Sequence, residues 1–129
     1  MASRGVILLV DDEESVRMLL STLLERDSYT VLAATDGEHA LQVSRGHEGD
    51  IDALVTDYKM PRLNGLELAK TLNRERPGMR IMIMSGRMSN PEGIQECGFP
   101  MVSKPFTITT FMTSLKHCLE SKQDRPKRS

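Results

Sequence analysis

The residues of this chain that could do chemistry all stand where an apolar run ends. Ala53 to Thr56 lead into Asp57, followed by Tyr58-Lys59-Met60-Pro61 and closed by Asn64-Gly65. The run is too short for a helix and reads as a strand, which Pro61 stops from continuing. Asp57 is left at the strand's C-terminal lip, where open parallel α/β sheets bind ligands. A lone acid there is equally a strand terminator or a turn former. The ending recurs, however. Val6 to Val10 runs into Asp11-Asp12-Glu13, Met79 to Met84 into Ser85-Gly86, and Pro100 to Val102 into Ser103-Lys104-Pro105-Phe106. Taken singly, Asp11-Asp12 also reads as an N-cap pair, Ser85 as a turn former and Lys104 as an exposed loop lysine. Their coincidence at strand ends is the main evidence for a site, because surface decoration gives no reason for that placement.

Helices must lie between these strands. Val16, Leu19, Leu20, Leu23 and Leu24 recur at the spacing of one buried helical face, which predicts a helix over 14–26. Tyr29 to Ala34 reads as a short strand, and Asp36-Gly37-Glu38 as a turn or cap before a helix through Ala40, Leu41 and Val43 that stops near Gly46. Asn64 can cap a helix through Leu66, Leu68, Ala69 and Leu72, ending before Pro77-Gly78. From Arg87 to Gly98 the pattern weakens around Pro91 and Gly93, so only one or two helical turns are expected. Ile108, Phe111, Met112, Leu115 and Leu119 then predict a last helix with one face on the sheet. Five βα units without a hairpin signal imply an α/β fold with one parallel sheet covered on both sides. Strand order is not readable from the pattern.

At 129 residues, with a net charge of -1 and 39% hydrophobic residues, the chain is sized for one domain with no overall pull towards nucleic acid or membrane. Cys97 and Cys118 show no metal-ligand spacing and read as buried or idle thiols. His39, His47 and His117 share no motif. Met79, Met82 and Met84 are expected to fill core. The first residues resemble neither a signal peptide nor a membrane span, so a cytoplasmic protein is expected. The basic stretch 122–129 reads as a solvated tail or linker stub after a domain at 1–121.

Asp11-Asp12, the Asp57 to Pro61 block with Gly65, Ser85-Gly86 and Lys104-Pro105-Phe106 resemble the signatures of response-regulator receiver domains of two-component signalling, in order and approximate spacing. The resemblance runs from about Gly5 to about Glu120. It implies a flavodoxin-like (βα)5 sheet in the order 2-1-3-4-5, here with a shortened or irregular fourth helix. It also implies Asp57 as phosphoacceptor from a histidine kinase or phosphotransfer protein, with Lys104 and Ser85 on the phosphoryl oxygens. Carboxylates drawn to within roughly 4 Å repel by about 4 kcal/mol per pair at an effective dielectric of 20, which calls for a cation. All-oxygen ligands favour Mg²⁺. The family's ligand set corresponds to Asp12, Asp57, Asp11 through water and the backbone carbonyl of Lys59. Glu13 is assigned to the positive end of the first helix rather than to metal.

Such a domain is a phosphoacceptor, not an enzyme in the usual sense, although it assists its own phosphotransfer and dephosphorylation. A monomer or weak dimer is expected, without nucleic acid or membrane partners. Whether it is a stand-alone receiver or part of a hybrid kinase or longer regulator stays open. Two other classes compete. A metal-dependent hydrolase would release product steadily, and an unused docking module would not take up a phosphoryl analogue. The sequence also departs from its family, because Met101 stands three residues before Lys104, where receivers usually carry Tyr or Phe. Lys59 and Arg87 occupy positions that border the attacking water in receivers, and neither suits a proton acceptor at neutral pH.

Overall fold

In the computed structural model, which describes residues 3–86 and 99–120, strands and helices alternate. The elements are β1 (Gly5–Val10), α1 (Glu14–Arg26), β2 (Tyr29–Ala34), α2 (Gly37–Gly46), β3 (Ala53–Asp57), α3 (Gly65–Glu75), β4 (Arg80–Ser85), β5 (Met101–Ser103) and α4 (Ile108–Glu120). All strand pairings are parallel, and the order is β2-β1-β3-β4-β5. This is the flavodoxin-like order expected from the resemblance.

Successive strand side chains point to opposite faces, and here both faces are covered. Ile7 and Leu9 of β1, Val55 of β3 and Met82 and Met84 of β4 pack with Leu20 and Leu24 of α1 and with Phe111, Leu115 and Cys118 of α4. Leu8, Val10, Leu54, Ile81 and Ile83 face the other way, against Ala40 of α2 and Leu68, Ala69 and Leu72 of α3. That is why β1, β3 and β4 read as unbroken apolar runs. The methionines behave as expected, with Met79, Met82 and Met84 all buried. Cys118 is buried too, and burial pushes its thiol up to about 11.

Some details differ from expectation. Strands β4 and β5 each start and end one residue later than the apolar pattern suggests, because pairing with neighbours, not hydropathy, sets a strand's ends. Leu19 was expected on the buried face of α1 and Ile108 on that of α4, yet they are 52% and 54% exposed. Leu19 lies about 100° around the helix from Leu20 and so falls on the flank of the Leu20–Leu24 stripe. Ile108 is the first residue of α4, before the Phe111–Leu115–Cys118 face meets the sheet. The readings of residues 87–98, including Arg87, Cys97 and a shortened helix, and of the tail 122–129 lie outside the described residues.

Candidate functional site

Strand register brings the polar residues together. Val10 is paired with Thr56, so Asp11, one residue on, comes level with Asp57. Asp57 is paired with Met84, and the Tyr58 amide donates to the Met84 carbonyl at 2.8 Å. Ser85 is paired with Ser103, and the Lys104 amide donates to the Ser85 carbonyl at 2.8 Å. The Lys104–Pro105 peptide is cis.

Oxygens of Asp11, Asp12 and Asp57 lie within 4.8 Å of one another. The Lys104 Nζ is 3.2 Å from Asp57 Oδ1 and 3.5 Å from Asp11 Oδ2. Asp11 is 0% exposed and Asp57 8%, whereas Asp12 is exposed. One ammonium thus pairs with two of the three clustered carboxylates. The Asp57 carboxyl is raised to about 6 in all: burial is the largest cause, Lys104 lowers it, and Asp11 and Asp12 raise it. Lys104 titrates above the ordinary lysine value: burial is the largest single influence and lowers it, but the Asp57 and Asp11 carboxylates together outweigh burial.

The Asp11 carboxylate is not a helix cap. Its Oδ1 accepts the Glu13 amide at 2.9 Å, and α1 has Glu13 at the N-cap with no side-chain cap bond. Asp11 Oδ2 is buried and has no hydrogen-bond donor among the described residues. A buried carboxylate oxygen with no hydrogen bond, with only the Lys104 ammonium 3.5 Å away and two further carboxylates beside it, belongs to a donor set that fits a hard, oxygen-seeking cation such as Mg²⁺.

Gly65 lets α3 start against the lip of β3. A Cβ there would collide with the Asp57 carbonyl oxygen and come 2.9 Å from the Tyr58 Cα. The Gly65 amide donates to the Tyr58 carbonyl at 2.8 Å, and Asn64 and Glu67 close a capping box that fixes the helix start. Ser85 is buried at the next strand end, its hydroxyl donating to the Gly86 carbonyl at 3.3 Å. Lys59 is exposed in the loop after β3, two residues beyond Asp57. Asp11, Asp12, Asp57 and Lys104 therefore meet in space, Ser85 stands at the adjoining strand end, and the Lys59 side chain faces solvent.

Sequence reasoning missed Arg17. Its Nη1 donates to the Asp11 carbonyl at 2.8 Å, bracing the β1–α1 turn. The available signal was a cation one turn into α1, near the helix end that disfavours positive charge unless an acceptor is at hand. Helical side chains lean towards the N-terminus, which aims Arg17 at that turn.

The parallel sheet with an acidic, cation-poor cluster at its carboxyl edge defines a doubly wound α/β domain with a ligand site at the strand ends. The chain belongs to the response regulator receiver domain family, whose profile matches residues 7–116. It is 31% identical over 127 residues to the sensor kinase CckA of Brucella abortus, covering 96% of this chain and 13% of the kinase. It is 34% identical over 104 residues to the alkaline phosphatase synthesis transcriptional regulatory protein PhoP of Bacillus subtilis, covering 78% of this chain and 42% of the regulator. The chain thus spans less than half the length of both relatives. Among solved structures, a response regulator receiver domain protein from Clostridium thermocellum superposes with a TM-score of 0.80 at 26% identity, covering 90% of this chain and 94% of that one. The response regulator TrrA of Thermotoga maritima, in complex with Mg²⁺-BeF, does so with a TM-score of 0.78 at 27% identity, covering 89% and 99%. Among the described residues no helix is long and apolar enough to cross a membrane.

Proposed function

We propose that this receiver accepts a phosphoryl group on Asp57 from a histidine kinase or phosphotransfer protein, in a Mg²⁺-dependent reaction, and that phosphorylation changes its partner binding. One observation carries the reading: Asp57 ends β3 within reach of two other carboxylates and 3.2 Å from the Lys104 ammonium. Asp11, Asp12 and Asp57, with the Lys59 carbonyl, are the residues to hold Mg²⁺. When bound, the ion supplies positive charge that offsets the clustered carboxylates and the incoming phosphoryl oxygens.

An Asp57 carboxylate oxygen forms the new bond to phosphorus while the donor's P–N bond breaks, and the leaving imidazole keeps that electron pair and takes up a proton. Lys104 already pairs with Asp57 and can follow the charge as it spreads to the phosphoryl oxygens. Ser85 must turn from the Gly86 carbonyl to donate to the same group, a change of partner that couples phosphorylation to the β4 end. Self-dephosphorylation is slow in this reading, because Lys59 is a poor proton acceptor at neutral pH. The working unit in this reading is residues 1–121, with 122–129 as a tail or linker stub.

Intact-mass measurement after incubation with acetyl phosphate tests the assignment. Wild type with Mg²⁺ should gain one phosphoryl group, and Asp57→Asn, or wild type in EDTA, none. Equal labelling of the Asn variant would reject Asp57, and steady release of phosphate without accumulation on the protein would favour a hydrolase.

A further inference from the structure

The loop between Asp57 and α3 is held from outside the acidic cluster. Its base is closed by the Gly65 amide on the Tyr58 carbonyl, and Met60 is buried beneath it. Its tip reaches across to the start of α2. Arg62, in the left-handed region at φ 67, places Nη2 3.1 Å from Asp36 Oδ2 and Nε 3.6 Å from Glu38 Oε1. Leu63 lies against Gly37 so closely that a Cβ on Gly37 would come within 2.9 Å of Leu63 Cβ, Cδ2 and carbonyl oxygen. Asp36 divides its work, since Oδ1 caps α2 by accepting the His39 amide at 2.9 Å while Oδ2 receives Arg62.

A non-glycine residue at positive φ is uncommon and persists where its surroundings hold it. Here two carboxylates supply that hold. The loop so fixed is the one that carries the Lys59 backbone, three residues before Arg62.

We propose that Arg62, latched to Asp36 and Glu38, is a positioning residue for the cation site: it fixes the 58–64 loop so that the Lys59 backbone is set for Mg²⁺ before the ion arrives. The inference rests on the proposed Mg²⁺ role of the acidic cluster and adds a residue that touches neither the ion nor the phosphoryl group. Asp36 and Glu38 would then link the α2 start to the readiness of the phosphorylation site.

The test is calorimetric titration of the full chain with MgCl₂, for wild type, Arg62→Gln, Asp36→Asn and the double variant. Arg62→Gln keeps a Cβ and a polar side chain at the same backbone position but removes the guanidinium that makes both contacts, and Asp36→Asn keeps an oxygen to cap α2. Because Arg62 is 58% and Asp36 21% exposed, the pair is modest, and each single variant should weaken Mg²⁺ binding by about two- to fivefold. The double variant should be no weaker than the worse single one, since both changes remove one latch. Amide exchange in metal-free protein should quicken at Leu63 and Gly65 in Arg62→Gln but not in the β1 strand. Unchanged affinity in Arg62→Gln, or additive losses in the double variant, would overturn the latch while wild-type binding left the cation site standing. A wild type that takes up no Mg²⁺ would overturn both together.

Discussion

Removing the charge of Asp57 should stabilise the metal-free protein. This carboxyl is raised from 3.8 to about 6, chiefly by burial, so ionising it in the folded state is uphill. The group's folded value lies above its unfolded value; the folded chain therefore binds more protons between these limits, and stability falls as pH rises from about 4 to about 6. At roughly 1.4 kcal/mol per pH unit the full penalty is about 3 kcal/mol, reduced to about 2 kcal/mol by water and salt at this lip of the sheet. Asp57→Asn lacks the penalty and keeps a polar group of the same size beside Lys104. For a chain of this length the gain corresponds to about 6–10 °C in melting temperature. The assay is thermal and urea unfolding in EDTA at several pH values from 4.5 to 7.5. The variant's advantage should be near its full size at pH 7.5 and mostly gone at pH 4.5, while carboxylates remote from Asp57 cancel in the difference. A variant no more stable than wild type at pH 7.5, or an advantage that does not shrink in acid, would refute the reasoning. Adding Mg²⁺ should reverse the order, because only wild type retains the third carboxylate; a hundredfold excess over the dissociation constant supplies about 2.7 kcal/mol.

Lys104→Met should raise the Asp57 carboxyl further above about 6, read by carbon NMR titration, because the ammonium that lowers it is lost; phosphoryl uptake from acetyl phosphate should fall with it. Gly65→Ala should cost at least about 2 kcal/mol in urea unfolding, since its Cβ meets backbone of Asp57 and Tyr58 that cannot rotate away. Arg76→Ala should cost about 2–4 kcal/mol, because its guanidinium donates to Ser44 Oγ and to the carbonyls of Ser44, His47 and Gly49 at the end of α2. Arg76→Lys should recover little of it, one ammonium being unable to span the same acceptors. With Met101 where receivers usually carry an aromatic ring, amide shifts on adding beryllofluoride should concentrate near Ser85; a large concerted change across residues 101–120 would show this expectation wrong.

The strands and helices, and the polar residues at the strand ends, were legible in the sequence because hydrophobic period and strand-terminating residues are local properties. The unbroken run Ile81 to Met84 already meant a strand covered on both faces. The order 2-1-3-4-5 came from resemblance alone, since no local pattern says which strands pair. What only the tertiary structure decided was contact. Register set Val10 against Thr56 and thereby Asp11 beside Asp57, and burial then made Asp57 a weaker acid and left Asp11 Oδ2 without a hydrogen bond among the described residues. Leu19 and Ile108 carry apolar side chains at helical spacing yet stay exposed, because the sheet covers only part of each helix. Gly65 stood in the sequence only as part of the receiver signature, and the structure shows why a glycine is needed there: a Cβ would meet the Asp57 and Tyr58 backbone where α3 starts against the β3 lip. Arg17, Arg62 and Arg76 were unremarked in the sequence for the same physical reason: an arginine's role is fixed by the carbonyls and carboxylates that folding brings to its fork, and those lie up to 32 residues away along the chain.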